Sequence, residues 1–95
     1  MSESPIDVLL QGAGAARIAI WLLLRRSSWF TAEEIAQGMP FLVESRIQQV
    51  LRWMYSTNLV ERRTRQSNKR GPEPYEYQLT SPLIDALLAR DALSV

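Results

Sequence analysis

The amino-acid sequence predicts a small, mostly helical α+β domain, and three features of the chain support this fold class. Apolar residues recur at helical spacing over residues 43–55, with polar and basic residues on the opposite face. Two strand-like runs, 59–65 and 75–79, flank the turn-rich segment 66–74, which predicts a β-hairpin. A Thr-x-x-Glu pattern at residues 31–34 marks the start of a further helix.

The N-terminal part of the chain is predicted to hold two helices separated by glycines. A Ser-Pro pair starts a short helix over residues 5–11. Gly12 and Gly14 then favour a break or the close approach of another backbone, because each costs about 1 kcal/mol inside a helix. The second helix, 15–24, is apolar nearly all round, which predicts that it is centrally buried or shared with a partner chain. It ends at the basic pair 25–26, cations suited to a helix C-terminus.

The middle of the chain predicts two helices joined by a tight turn. Thr31 and Glu34 form a capping box at the start of a helix that Gly38 closes. After the turn comes the longer helix, and Asn58 follows it, a residue that tolerates the left-handed conformation of a helix C-terminal cap. A short helix, a tight turn and a longer helix, in that order, make a helix-turn-helix layout.

A last helix is predicted from the Ser-Pro pair at 81–82 to about Ala92. Its apolar face contains Leu83, Ile84, Leu87 and Leu88. That face either packs on the first helix of its own domain or forms a dimer seam, and the pattern leaves both open. We expect residues 1–95 to make one domain, with 15–80 as its core and 81–93 as a candidate dimerisation helix.

The amino-acid composition of the chain argues against several classes of function. The 95 residues include no Cys and no His, which excludes disulfides and thiolate metal sites and removes the usual acid/base group near neutral pH. There is no Gly-rich phosphate loop, so we expect neither an enzyme nor a cofactor or metal. The longest apolar run, 18–24, is far shorter than the ~20 residues of a membrane span, and no basic leader precedes it. We therefore expect a cytoplasmic protein that does not bind membranes.

Charge is distributed unevenly along the chain. Between Arg46 and Arg70 lie seven basic residues and one acidic residue, Glu61, a net charge of +6. The remaining four basic and nine acidic residues carry −5. Such a distribution predicts one face that meets a polyanion, since the basic segment directly follows the long helix. The alternative is a solvated hairpin that happens to be basic.

The order of elements resembles winged helix-turn-helix DNA-binding transcriptional regulators of the bacterial type. The likeness covers residues 15–80 and is carried by Asn58-Leu-Val-Glu-Arg-Arg63 and by Arg70-Gly-Pro followed by Tyr75-x-Tyr77-x-Leu79-Thr80. Within that class, Trp29-Phe-Thr-Ala-Glu-Glu-Ile-Ala36 is similar to the small carnitine-operon and enterocyte-effacement activators (the CaiF/GrlA-like group). Two positions depart from the pattern, because Asn58 replaces the usual Gly and Trp53 stands where a polar residue is commoner.

The resemblance implies that the recognition helix, 43–56, enters the major groove and that the wing, 59–79, touches the DNA backbone or the adjacent minor groove. The implied contacts are Ser45, Arg46, Gln48, Gln49 and Arg52 in the groove, and Arg62, Arg63, Arg65, Lys69 and Arg70 from the wing. Glutamine can bond adenine bidentately and arginine can do so to guanine, whereas the wing cations suit phosphate.

Some alternatives remain open at this stage. Winged helices also serve as protein-interaction modules, antagonists or adaptors that bind no DNA. For a DNA reader of this size we predict a homodimer, because one small reader rarely secures enough specificity. Trp53 lies off the main apolar stripe and packs either on the wing strands or in a partner subunit. Trp21 and Trp29 are expected in the core.

Overall fold

The computed structural model describes residues 4–64 and 75–93, and within these ranges the predicted fold class is confirmed. The elements are α1 (Pro5–Leu10), α2 (Ala15–Leu24), β1 (Phe30–Thr31), α3 (Ala32–Gly38), α4 (Glu44–Ser56), β2 (Val60–Thr64), β3 (Tyr75–Leu79) and α5 (Ser81–Leu93). The described part of the chain is therefore mostly helical and carries a small antiparallel sheet.

The glycine break between the first two helices is confirmed. α1 ends at Leu10, one residue earlier than expected, and Gly14 precedes α2 with a φ of 80°. Residues with a Cβ atom are strained in this left-handed conformation, so the backbone itself favours glycine at position 14. At the far end of α2, the side chains of Arg25 and Arg26 donate hydrogen bonds to the carbonyls of Trp21 and Leu23 at 3.2 and 3.0 Å. These cations satisfy carbonyls that lack helical partners.

The helix-turn-helix is formed by α3 and α4. Its capping box is confirmed, because the Glu34 amide donates to Thr31 Oγ1 at 3.2 Å and the Thr31 amide donates to Glu34 Oε1 at 2.9 Å. At the other end of the pair, Asn58 follows α4 with a φ of 63°, as predicted for a left-handed cap. The next residue, Leu59, is buried in the core, and β2 starts directly after it.

The sheet has the strand order β1-β3-β2, and both pairings are antiparallel. The β2–β3 hairpin was predicted, but the pairing of β1 with β3 was not, because two residues are too few to show strand alternation. In this sheet Phe30 lies opposite Tyr77. The Gln78 side chain also donates to the carbonyl of Arg26 at 2.9 Å, so the central strand is tied to the segment that leads into β1.

One hydrophobic core draws residues from both ends of the described chain. Ile18, Ile35, Ile47 and Leu83 are all fully buried in it. α5 packs against α1, as one of the two predicted arrangements requires, and starts one residue earlier than its Ser-Pro pair suggested.

The outer side of α2 is not covered by the described residues. Ile20 and Leu24 are 54% and 72% exposed, so the expected burial holds for one side of this helix only. No helix in the described ranges is long and apolar enough to cross a membrane.

Candidate nucleic-acid interface

α4 has two faces of opposite character. Its inner face is buried and consists of Ile47, Val50, Leu51 and Met54. Opposite this face, four exposed polar residues follow one another at spacings of four, three and four positions, which places them in one row along the helix. This row, which we call the outer ridge, consists of Ser45, Gln49, Arg52 and Ser56. Three of the five predicted groove-facing residues therefore lie together on open surface.

The other two predicted groove residues flank the outer ridge on different sides. Gln48 is exposed, and its amide donates to Glu44 Oε1 at 3.2 Å, one helical turn earlier. Arg46 lies on the side of Trp53, where it borders a cavity of about 250 Å³ between α4 and the α1–α2 turn. The cavity is lined by Gln11, Gly12, Ala13, Arg46, Gln49, Val50 and Trp53.

Trp53 packs within its own domain, but against a different element from the one expected. Its half-buried ring lies on Gly12 in the α1–α2 turn, where a Cβ atom would stand 2.4 Å from the ring carbon Cζ3. Gly12 is thus required by the close approach of a side chain, and the glycine-rich turn is the feature of the sequence that could have indicated this contact.

The other two tryptophans are half-buried and do not lie in the fully buried core that was expected for them. Trp21 packs edge-to-face with Phe30, the ring centroids 4.8 Å apart, and the Arg25 guanidinium lies 4.2 Å from the Trp21 ring. Trp21 therefore packs at the rim of the core, where amphipathic aromatic side chains are common.

Arg62 joins the wing to α4. Its guanidinium lies between two rings, 4.0 Å from the centroid of Tyr55 on α4 and 4.4 Å from that of Tyr75 on β3. Arg62 is half-buried among these aromatic side chains, whereas Arg52 on the outer ridge is exposed.

Burial raises the pKa of Tyr77 above its ordinary 10.0, while the nearby positive charges of Arg62 and Arg52 oppose that rise.

Arg63 points to the opposite face of the sheet, because successive residues of a strand alternate between its faces. Its guanidinium lies 4.3 Å from the ring centroid of Trp29 and forms an ion pair with Glu76. The Glu76 side chain is 7% exposed and that of Arg63 is 56% exposed. The charge of Arg63 is thus partly offset, although half of its side chain remains open to water.

Three of the cations that the sequence assigns to the basic face lie on or beside α4, and the acidic Glu44 lies in the first turn of the same helix. Arg46 and Arg52 lie on α4 itself, and Arg62 lies beside its C-terminal half. Arg63 is the exception, because it lies on the back of the sheet. The predicted wing contacts Arg65, Lys69 and Arg70 lie outside the described residues.

Comparison with solved structures identifies the fold. The reduced form of the transcriptional regulator YodB from B. subtilis superposes with a TM-score of 0.69 at 17% identity, over 90% of this chain and 78% of that one. A PadR family transcription regulator from Clostridium difficile gives 0.62 at 24% identity, over 79% and 83%. The chain has the winged helix-turn-helix fold.

A third winged-helix neighbour, a PadR-like transcription factor from B. fragilis, gives a TM-score of 0.66 at 21% identity and covers 90% of this chain and 86% of that one. No protein-family model and no curated protein matches the sequence. The winged helix is therefore established by structure alone, and the closer likeness to the CaiF/GrlA-like group stays a prediction.

Proposed function

We propose that this winged helix binds double-stranded DNA in a sequence-specific manner and acts as a small transcriptional regulator, with α4 as the recognition helix. The observation that carries the proposal is the outer ridge, a row of polar side chains exposed on the face of α4 opposite the core. The B-DNA major groove admits one α-helix, and an exposed row of hydroxyl, amide and guanidinium groups matches the bases' hydrogen-bonding edges. Three structurally similar proteins are themselves described as transcription regulators or factors.

The α4 residues divide into base readers and supporting residues. Gln49 and Arg52 stand on the outer ridge, where a glutamine can pair with adenine and an arginine with guanine, each worth about 1–3 kcal/mol of discrimination. Ser45 can bond either base. We assign Arg46 and Gln48, which flank the ridge, to bases or phosphates at the edges of the groove.

The wing supplies affinity in this proposal. Arg65, Lys69 and Arg70 would contact phosphates, which gives binding without sequence information. Arg63 would add a weaker contact through the exposed half of its side chain. Arg62 would act mainly by fixing the wing against α4, because its guanidinium is already held between two tyrosine rings.

Selection of bound fragments from a random pool of duplex DNA, followed by titration at several salt concentrations, tests the proposal. We expect one enriched sequence, and a log–log slope against salt of about −0.9 per phosphate contacted. Arg52→Ala should relax the sequence preference, whereas Lys69→Ala should weaken all duplexes alike and reduce the slope by about one contact. The two variants serve as controls for each other.

Two results would contradict this proposal. One is equal loss of specific and random binding in both variants, which would remove the division of roles. The other is no duplex binding at any salt concentration together with capture of a protein partner that survives high salt. That second result would favour the interaction-module alternative, in which the winged helix serves as an antagonist or adaptor.

We also propose that the protein works as a homodimer, in which two copies would read a palindromic site. The support is the exposed apolar surface on helices other than α4: Leu10 is 65%, Leu24 is 72% and Leu88 is 41% exposed. Sedimentation at micromolar concentration should give a dimer. A monomer under these conditions would remove the dimer proposal and leave the DNA-binding proposal intact.

A further inference from the structure

Two apolar side chains are unusually exposed at the turn between α3 and α4. Phe41 is 62% exposed and Val43 is 68% exposed, and neither packs against the hydrophobic core. The helical spacing predicted that Val43 belongs to the inner face of α4. That prediction is wrong because Val43 is the N-cap residue, with the extended backbone angles −77° and 149°, so the periodicity of the helix does not reach it.

Val43 stands at the end of α4 that matters most for reading bases. In helix-turn-helix proteins the N-terminal residues of the recognition helix contact base edges. Val43 directly precedes this end, and the outer ridge starts two residues later at Ser45. An exposed isopropyl group at this place would enter the major groove together with the polar readers.

The major groove offers an apolar partner for such a group. Among the features that bases present there, the C5-methyl group of thymine is the apolar one, and aliphatic or aromatic side chains contact it. Phe41 is a less suitable partner, because the guanidinium of Arg17 already lies 5.2 Å from its ring centroid. A cation held at that ring favours a position near phosphates.

We infer that Val43 contacts the C5-methyl group of a thymine in the DNA site and so determines specificity at that base pair. The inference rests on the proposed DNA-binding function and adds to it an apolar reader that the polar pattern of α4 does not include. Hydrogen-bonding residues distinguish bases by donors and acceptors, whereas this contact distinguishes thymine from every base that lacks the methyl group.

Replacement of thymine by deoxyuridine in the selected duplex tests the inference, because it removes the methyl group and keeps the base pair. Each thymine is replaced in turn and binding is measured by fluorescence anisotropy. At one thymine per half-site we expect the wild type to lose about fourfold in affinity, the value of one buried methyl-sized group. Val43→Ala should bind the thymine and deoxyuridine duplexes equally, and Phe41→Ala should retain the wild-type difference.

Each outcome decides the matter. A wild type that is indifferent to every replacement overturns the inference, and so does a Val43→Ala protein that keeps the full difference. If Phe41→Ala loses the difference and Val43→Ala keeps it, the contact belongs to Phe41, and the inference about Val43 is overturned as well. Failure to bind any duplex would instead overturn the proposed function, and the contact with it. Because Val43 is exposed, unfolding of its variant does not complicate the test.

Discussion

Two neighbouring residues of α4, Leu51 and Arg52, have opposite environments. Leu51 is fully buried in the core, whereas Arg52 stands exposed on the outer ridge. One helix thus serves stability through one face and the proposed recognition of DNA through the other, with no residue shared between the two tasks at these positions. We therefore expect that effects on folding and on the proposed DNA binding can be separated by mutation, and four predictions test how far that separation extends.

The largest expected effect is on stability. Leu51→Ala should lower the free energy of unfolding by about 2–5 kcal/mol, because it removes buried methyl groups and leaves a cavity. Arg52→Ala, its matched control, should change this free energy by no more than about 0.5 kcal/mol. Urea denaturation measures both. A similar loss in the two variants would show that the faces are not independent.

A second prediction concerns the side of α4 that carries Trp53. Gly12→Ala should cost about 1–3 kcal/mol, since the new methyl group would stand 2.4 Å from a carbon of the Trp53 ring. In a Trp53→Ala background the same change should be neutral or stabilising by up to about 1 kcal/mol, because alanine restricts the unfolded chain. Thermal unfolding of the four proteins completes the double-mutant cycle. Additive effects would show that the ring does not rest on this glycine.

Arg62 lies on β2 and belongs to neither face of α4. Its replacement tests a contact with α4 that is part of neither the buried inner face nor the outer ridge. Arg62→Lys keeps the charge but loses the flat guanidinium held between two rings, so we expect a loss of about 1 kcal/mol in stability. Arg46→Lys, the same change at an exposed site, should stay within about 0.5 kcal/mol. Chemical denaturation compares them. If Arg62→Lys is as stable as the wild type, the tyrosines do not hold this side chain in solution.

The smallest effect should appear at alkaline pH. Because burial raises the pKa of Tyr77 above 10.0, the folded state keeps the phenol proton after the unfolded state has lost it. Stability from this group is therefore complete below pH 10 and falls as the pH rises through the raised pKa. The difference in unfolding free energy between wild type and Tyr77→Phe should be constant from pH 6 to pH 9 and shrink above pH 10. A constant difference up to pH 11 would contradict the assignment.

Local signals predicted the helix-turn-helix with good accuracy. The capping box at Thr31 and the left-handed Asn58 depend on residues three or fewer positions apart, so their chemistry is visible in the sequence. The inner face of α4 was likewise set by helical period, except at Val43, where the backbone is extended and the period fails. The sequence therefore predicted elements best where short-range rules decide them.

Contacts between distant segments could not be predicted in this way. Trp53 meets Gly12 across 41 positions of sequence, and Arg62 reaches tyrosines on α4 and on the returning strand. The sequence placed Arg62 and Arg63 together as wing cations, but their opposite orientations follow from strand alternation combined with a register that only the fold supplies. Which cations share a surface depends on tertiary packing, and the local sequence pattern does not specify that packing.

The position of β2 in the sheet constrains how two copies can associate. With the strand order β1-β3-β2, β2 forms one border of the described sheet, and its unpaired backbone groups face outward. Three consecutive residues of this edge strand, Glu61, Arg62 and Arg63, are charged. Charged side chains discourage a further strand from adding there. Addition of a strand from a second molecule at this border is thereby disfavoured.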